Sequence, residues 1–309
     1  MVRRYLKIAL RAARALLTGD KEVLRQQRRL LGLYLLANDV NRISYQRDGV
    51  KWTAPLTGSI AKRLFVRGGY QAKEIDTLLC WLGENDFLTE QRNVVIDVGA
   101  NIGSTSIPIA IKTGFHVIAI EPAPDNFQLL QQNVDQNGLA DRITCVASAI
   151  LMNAKTAPFL VHPTECGRGE VKVNGPQGYA GLSRESHQIE VAANTLNEIL
   201  EENEIPLGRV AFVWSDVQGC EGDLIESGSR LWEMGVPLFL ELWPSGINAH
   251  GGIDRFLSLV QKYFRGMLLP EQMQSGESAA DCLPLSDLGS RLNTLESFED
   301  ALLLPVKLR

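Results

Sequence analysis

Cysteine is scarce and unpaired in this chain: five occur in 309 residues, at Cys80, Cys145, Cys166, Cys220 and Cys282, with no CxxC among them. An odd, scattered set argues against a disulfide frame and a cysteine zinc site, and for a reducing compartment. Histidine is rarer still, and the spacing of His162, Cys166 and His187 matches no metal-ligand pattern, so no metal centre is expected. No stretch reaches the roughly 18 uninterrupted apolar residues that a spanning helix needs. Arg11 and Arg14 interrupt the apolar core a signal peptide would require, which makes the expected location cytoplasmic. Internal repeats are missing too. What remains is an ordinary globular composition, 45% apolar and 22% charged, long enough for one main core with a smaller appendage.

Charge is unevenly spread. The net charge is -5, yet the first 31 residues carry nine Lys and Arg against Asp20 and Glu22, leaving about -12 on the rest. So acidic a body gives no reason to expect a nucleic-acid partner. Residues 2–17 read as a helix with Arg3, Arg4, Lys7, Arg11 and Arg14 on one face and Val2, Leu6, Ala9, Ala13, Leu16 and Leu17 opposite. Two uses of that helix stay open: packing on the main domain with its cations in water, or a peripheral membrane contact through residues 1–18, resting on anionic lipid at the inner membrane surface.

Asp20 caps a second predicted helix running to Leu36, and Arg47-Asp48-Gly49 supplies turn chemistry for a hairpin between Ile43–Gln46 and Val50–Thr53. Ile75, Leu78, Leu79 and Leu82 recur at helical spacing within 71–88. From Asn93 the rhythm becomes strand, turn, helix, strand: strands at 94–98, 115–120 and 143–147, with helices at 104–111 and 124–137 between them. Residues 151–193 break that beat with Gly, Pro and polar residues, and read as a hairpin-like insertion with a loop near 167–181. The alternation resumes with helix 195–203, strand 209–215, helix 220–233, strand 237–242 and helix 253–264. After about residue 270 the chain reads as a polar linker and an apolar ending, 301–306, able to add an edge strand. This alternation predicts an α/β fold with a doubly wound, mostly parallel sheet.

The segment Val95-Ile96-Asp97-Val98-Gly99-Ala100-Asn101-Ile102-Gly103 places a carboxylate and two glycines at the carboxyl end of the first strand, where open α/β sheets bind ligands. Glu121 ends the next strand, positioned to accept both hydroxyls of an adenosine ribose. A pyrophosphate-binding turn wants GxGxxG, and here its second and third glycine positions are Asn101 and Ser104. The pattern therefore suits adenosine joined to an amino acid better than a dinucleotide.

Over residues 65–245 the sequence resembles the FkbM-type family of methyltransferases. The matching stretches are VIDVGANIGSTS at 95–106, VIAIEPAPDNFQLLQQNVDQNG at 117–138, TLNEIL at 195–200, SDVQGCEGDLIESG at 215–228 and LFLELWPSG at 238–246. The resemblance implies a Rossmann-like domain at 65–270, between an N-terminal helical and hairpin extension, 1–64, and a C-terminal linker and edge segment, 271–309. It also implies S-adenosylmethionine held by Asp97, Gly99, Asn101, Gly103 and Glu121, with Asn126 or Phe127 flanking the adenine, and methylation of a hydroxyl on a glycan or small natural product. The chain departs from relatives at Trp214, Ser215 and Asn197.

Asp216 and Glu241 also terminate apolar strands and are the candidates for work on the acceptor; helix capping or turn bonding is their ordinary alternative. Trp214 and Trp243 either wall an acceptor pocket or fill core. His250 follows the fifth strand and is a lesser candidate base. Magnesium beside these carboxylates is conceivable chemically, but the sequence offers no clear ligand set. A non-catalytic module that binds the same cofactor and docks through its basic first helix is the rival function.

Overall fold

The computed structural model describes residues 21–38, 40–162, 169–172 and 186–306. The basic helix read at 2–17, the Asp20 cap, Cys166 and most of the loop at 167–181 lie outside the described residues. These fall into two compact units, one ending at Tyr70 and the other beginning at Gln71.

The first unit holds helix α1 (Lys21–Leu36), the hairpin β1 (Arg42–Arg47) and β2 (Val50–Pro55), and helix α2 (Ser59–Arg67). Arg47 pairs with Val50, and Asp48 and Gly49 take φ of 50° and 84°, as a two-residue turn matched to strand twist demands. The Arg47 guanidinium then donates to the carbonyls of Phe65, Val66 and Arg67, which the end of α2 leaves without intrahelical partners. Helix α2 is absent from the sequence reading: its buried Ile60, Ala61 and Leu64 make too short an apolar pattern to stand out from a loop.

In the second unit, α3 (Ala72–Glu84), β3 (Val94–Val98), α4 (Ser106–Thr113), β4 (His116–Ile120), α5 (Pro124–Gln136) and β5 (Ile143–Val146) form two consecutive βα units as the alternation predicts. The insertion follows as a four-stranded sheet in the order β6-β9-β7-β8, from β6 (Ala149–Ile150), β7 (Thr156–Val161), β8 (Glu170–Val171) and β9 (His187–Asn194). The α/β pattern resumes with α6 (Leu196–Glu202), β10 (Val210–Ser215), α7 (Glu221–Ser227), α8 (Ser229–Glu233), β11 (Leu238–Leu242), α9 (Pro244–Ala249) and α10 (Ile253–Tyr263). Helix α6 opens with a reciprocal cap in which Thr195 and Glu198 each bond the other's backbone N–H. The chain closes with β12 (Phe264–Leu268), α11 (Pro270–Ser275), β13 (Leu283–Pro284), α12 (Ser286–Thr294) and β14 (Glu299–Pro305).

The main sheet has the order β13-β12-β14-β11-β10-β3-β4-β5. From β5 through β11 neighbours run parallel, and β14 enters antiparallel to both β11 and β12. Every residue of β3, β10 and β11 is buried, as expected of strands covered on both faces. The chain winds outward from β3 to β5 and then returns to lay β10 on the other flank of β3. The winding reverses between β3 and β10, and the carboxyl ends of such a strand pair are where open α/β sheets hold ligands in a crevice.

Two readings are corrected here. The stretch 220–233 is two helices, because Gly228 ends α7 and the Trp232 ring occupies the space a Cβ there would need. The region after about 270 holds helices and strands in place of a linker, and its last strand is interior: β14 lies between β11 and β12, with Ala301, Leu302, Leu303 and Leu304 buried.

Candidate active site

Four strand ends meet at the crevice, and each carries a carboxylate. Asp97, next to last in β3, is fully buried; its Oδ2 accepts hydrogen bonds from the Thr105 and Ser106 hydroxyls, while Oδ1 has no partner among the described residues. Burial raises its pKa to about 6 against the pull of those hydroxyls. The turn that follows is shaped by backbone that side chains seldom allow: φ is 88° at Gly99, 53° at Asn101 and 89° at Gly103. A Cβ on Gly99 would collide with the Asp216 carbonyl, and one on Gly103 would press on Ile107 and Leu130. Glycine is thus demanded by close packing of the protein on itself at both positions. Gly99→Ala is expected to cost about 1–3 kcal/mol from the left-handed conformation, with the clash added, read as a lower melting temperature.

Glu121 is held by the two turns it joins. Its Oε2 accepts from the Asn101 backbone N–H at 2.9 Å, and its Oε1 accepts from the Ala123 N–H at 2.9 Å and the Asn126 side-chain amide at 3.4 Å. A carboxylate offers about four acceptor sites, so capacity remains for a ligand hydroxyl. Burial pushes its pKa up to about 7 in spite of these donors. From α5, the buried Asn133 donates to the Ile102 carbonyl at 2.8 Å and ties the glycine turn to the helix. Phe127 is half-buried on the first turn of the same helix.

Across the crevice, the Asp216 N–H bonds the Val98 carbonyl at 2.9 Å and locks the end of β10 to that of β3. The Gln218 amide, on a residue with φ of 51°, donates to Asp216 Oδ1 at 2.6 Å and to Glu241 Oε2 at 3.3 Å. Burial raises the Asp216 pKa, whereas that of Glu241 rises to about 9, from burial and then from the charges of Asp216, Asp300 and Glu221. Asp300 stands directly opposite Glu241 in the β11–β14 pairing and is itself raised to about 7 by burial.

Glu221 was missed in the sequence because a first-turn acid usually marks a solvated helix start. Here it is 1% exposed; Oε1 accepts from the Gly219 N–H, Oε2 has no partner among the described residues, and burial raises the pKa to about 8. The loops after β10 and β11 touch through backbone, since a Cβ on Gly219 would run into Gly246. The Cys220 thiol lies 3.4 Å from His250 Nδ1 across the same contact. Burial lowers His250 to about 4, so its imidazole is neutral near pH 7 and engaged with the thiol. Trp214 is core, its ring tilted against Phe239 with centroids 4.4 Å apart, and the Trp243 ring covers Gly246. Among the described residues no group of His, Cys, Asp or Glu is arranged to hold a metal ion, and no helix is long and apolar enough to cross a membrane.

Residues 97–261, just over half of the chain, match the methyltransferase FkbM domain, and the chain belongs to that family of methyltransferases. Among its relatives is the methyltransferase sdnD of Sordaria araneosa, 23% identical over 176 residues, spanning 50% of this chain and 68% of that protein. Another is the hexuronic acid methyltransferase AglP of Haloferax volcanii, 25% identical over 236 residues, spanning 70% and 84%. The geranyl diphosphate C-methyltransferase of Streptomyces coelicolor A3(2) superposes with a TM-score of 0.42 at 11% identity, over 79% of this chain and 81% of that one, a likeness too slight to bear on mechanism.

Proposed function

We propose that this methyltransferase uses S-adenosylmethionine to methylate a hydroxyl oxygen on a glycan or small natural product. The reading is carried by the convergence of Asp97, Glu121, Asp216 and Glu241 on one crevice, with Gln218 bridging the last two. The residues fit the donor: Glu121 retains acceptor capacity for a ribose, and the partnerless Asp97 Oδ1 suits an ammonium reached directly or through water. Asn101 and Asn126 orient Glu121, and Phe127, on the first turn of α5, is the side chain assigned to the adenine. The cofactor, when bound, supplies a methyl group made electrophilic by a sulfonium, and a crevice rimmed by carboxylates favours a cationic donor.

The chain's own residues then have two tasks. They must hold the acceptor oxygen in line at about 3 Å from the methyl carbon, and they must take its proton as the bond forms. Asp216 is placed for the second task. Glu241, kept neutral to higher pH, donates or shares a hydrogen bond beside it. AglP, named for a hexuronic acid, supports a sugar as the class of acceptor.

Glu121→Ala tests the donor half. It should weaken S-adenosylmethionine binding by about 1.5–3 kcal/mol, the scale of a hydrogen bond to a charged group. Calorimetry on the folded variant is the measurement, and unchanged affinity would move the ribose elsewhere.

A further inference from the structure

Asp300 is a carboxylate that the reaction as described leaves idle, and it comes from outside the stretch that matches the family, residues 97–261. It is the second residue of β14, the strand that runs between β11 and β12. Because β14 is antiparallel to β11, it begins where β11 ends, on the side of the sheet that carries Asp216 and Glu241. The pairing sets Asp300 directly opposite Glu241. Opposed residues of an antiparallel pair project from the same face, with Cβ atoms about 5 Å apart.

Like charges in that relation are destabilising unless something neutralises them. The preceding residue shows how the chain does so elsewhere: Glu299, on the other face of β14, accepts from Nε and Nη2 of Arg291 on α12. Asp300 has no such cation and no hydrogen-bond donor among the described residues. The charges around it are all negative: Asp216 at the end of β10, Glu74 on α3, Glu271 on α11 and Glu299 beside it. Glu241 is faced in turn by Asp216, Asp300 and Glu221, with the Gln218 amide at 3.3 Å as donor. Two carboxylates so placed resist ionising together, and one keeps its proton to higher pH. Glu241 is the more deeply buried and Asp300 is half-buried, so the proton stays on Glu241. The ordering of the two pKa values, about 9 and about 7, agrees.

Resting on the oxygen-methylation reading, we propose that Asp300 is a positioning residue for methyl transfer: its charge opposite Glu241 holds the Glu241 proton in place, so that Glu241 offers a hydrogen-bond donor beside the Asp216 base. A protonated carboxyl donates one hydrogen bond, whereas an ionised one only accepts. The neutral Glu241 can therefore steady an acceptor oxygen whose proton Asp216 removes, and an ionised Glu241 would compete for that proton. The effect belongs between about pH 7 and pH 9, where Asp300 is ionised and Glu241 is not. The last strand thus serves a site whose other proposed residues all lie within the family's stretch.

The test begins on the ligand-free full chain, isotope-labelled at the glutamate carboxyls for NMR. The Glu241 titration is the one missing from Glu241→Gln. Its midpoint is expected near pH 9 in the wild type, and lower by about one unit or more in Asp300→Asn, where the facing charge is gone. Asp300→Glu, which restores the charge, should move it back. Were Asp300→Asn unfolded in a thermal scan, Asp300→Ser carries the same expectation. With radiolabelled S-adenosylmethionine and a panel of methyl glycosides, the alkaline limb of kcat/KM should follow the titration in each variant and be absent from Glu241→Gln. Donor affinity should hold throughout. A folded Asp300 variant in which Glu241 titrates as in the wild type overturns the proposal, and so does a shifted titration with an unmoved alkaline limb. Donor binding without transfer to any hydroxylated acceptor overturns the oxygen-methylation reading, and the positioning role with it, even where the titration shifts.

Discussion

Asp216→Asn is expected to slow methyl transfer to the acceptor by about 10²–10⁴-fold, the range for loss of a general base, with donor affinity nearly unchanged. An alcohol has a pKa of roughly 15, so its proton must leave as the new bond forms. Asp216 and Glu241 share the Gln218 amide, but its contact with Asp216 is the shorter, 2.6 against 3.3 Å, and favours the ionised form there. Glu241 bears the repulsion of Asp216, Asp300 and Glu221 and keeps its proton to about pH 9. Environments that split a carboxylate pair in this way assign the base and its neutral neighbour. The acid limb of kcat/KM against pH should therefore belong to Asp216 and vanish in the asparagine variant. Single-turnover transfer from radiolabelled donor measures both effects. Near-normal turnover in a folded Asp216→Asn would move the search for the base to Glu241 and His250.

The ligand-free protein should lose stability as pH rises from about 5 to about 9, and Glu241→Gln should abolish part of that loss. Asp97 is raised to about 6, Glu121 and Asp300 to about 7, Glu221 to about 8 and Glu241 to about 9. Each binds a proton in the folded state at a pH where the unfolded chain has already released it. With more protons on the folded form, stability falls as pH rises through that window. At pH 5 glutamine and protonated Glu241 are equivalent in charge, so the variant should match the wild type. At pH 9 it should melt higher by several degrees, since each kcal/mol moves a chain of this size by roughly 1–2 °C. A cationic donor relieves the same repulsion, so the rise in melting temperature on adding S-adenosylmethionine should grow with pH. Wild type most stable at pH 9 would show that these carboxylates are not strained in the folded state.

The proposed donor half of the site was legible because it is local. Asp97, the glycine turn and Glu121 lie within 25 residues, each at the end of an apolar strand, and a strand end needs no distant contact to be recognised. The acceptor half was legible only in part. Asp216 and Glu241 could be read as strand ends, but Glu221 looks like any helix start. Their burial comes from elements far away in sequence. Strand order is likewise a long-range property, which is why the C-terminal strand was expected at an edge. Its apolar run from Ala301 to Leu304 did carry the hint, since a strand buried on both faces reads as continuous hydrophobicity.

The contact between Gly219 and Gly246 makes the loops after β10 and β11 a single mechanical part. A residue changed on either loop displaces the other, and with it the distance from Gln218 to Asp216 and Glu241. Sequence change is therefore constrained on the loops that carry Asp216, the proposed base. The insertion has its own sheet and its own small core, so its strands can be rebuilt without disturbing that part. The two joined loops and the insertion are separate pieces of the chain, and the insertion is the one whose sequence can change without moving the strand-end carboxylates.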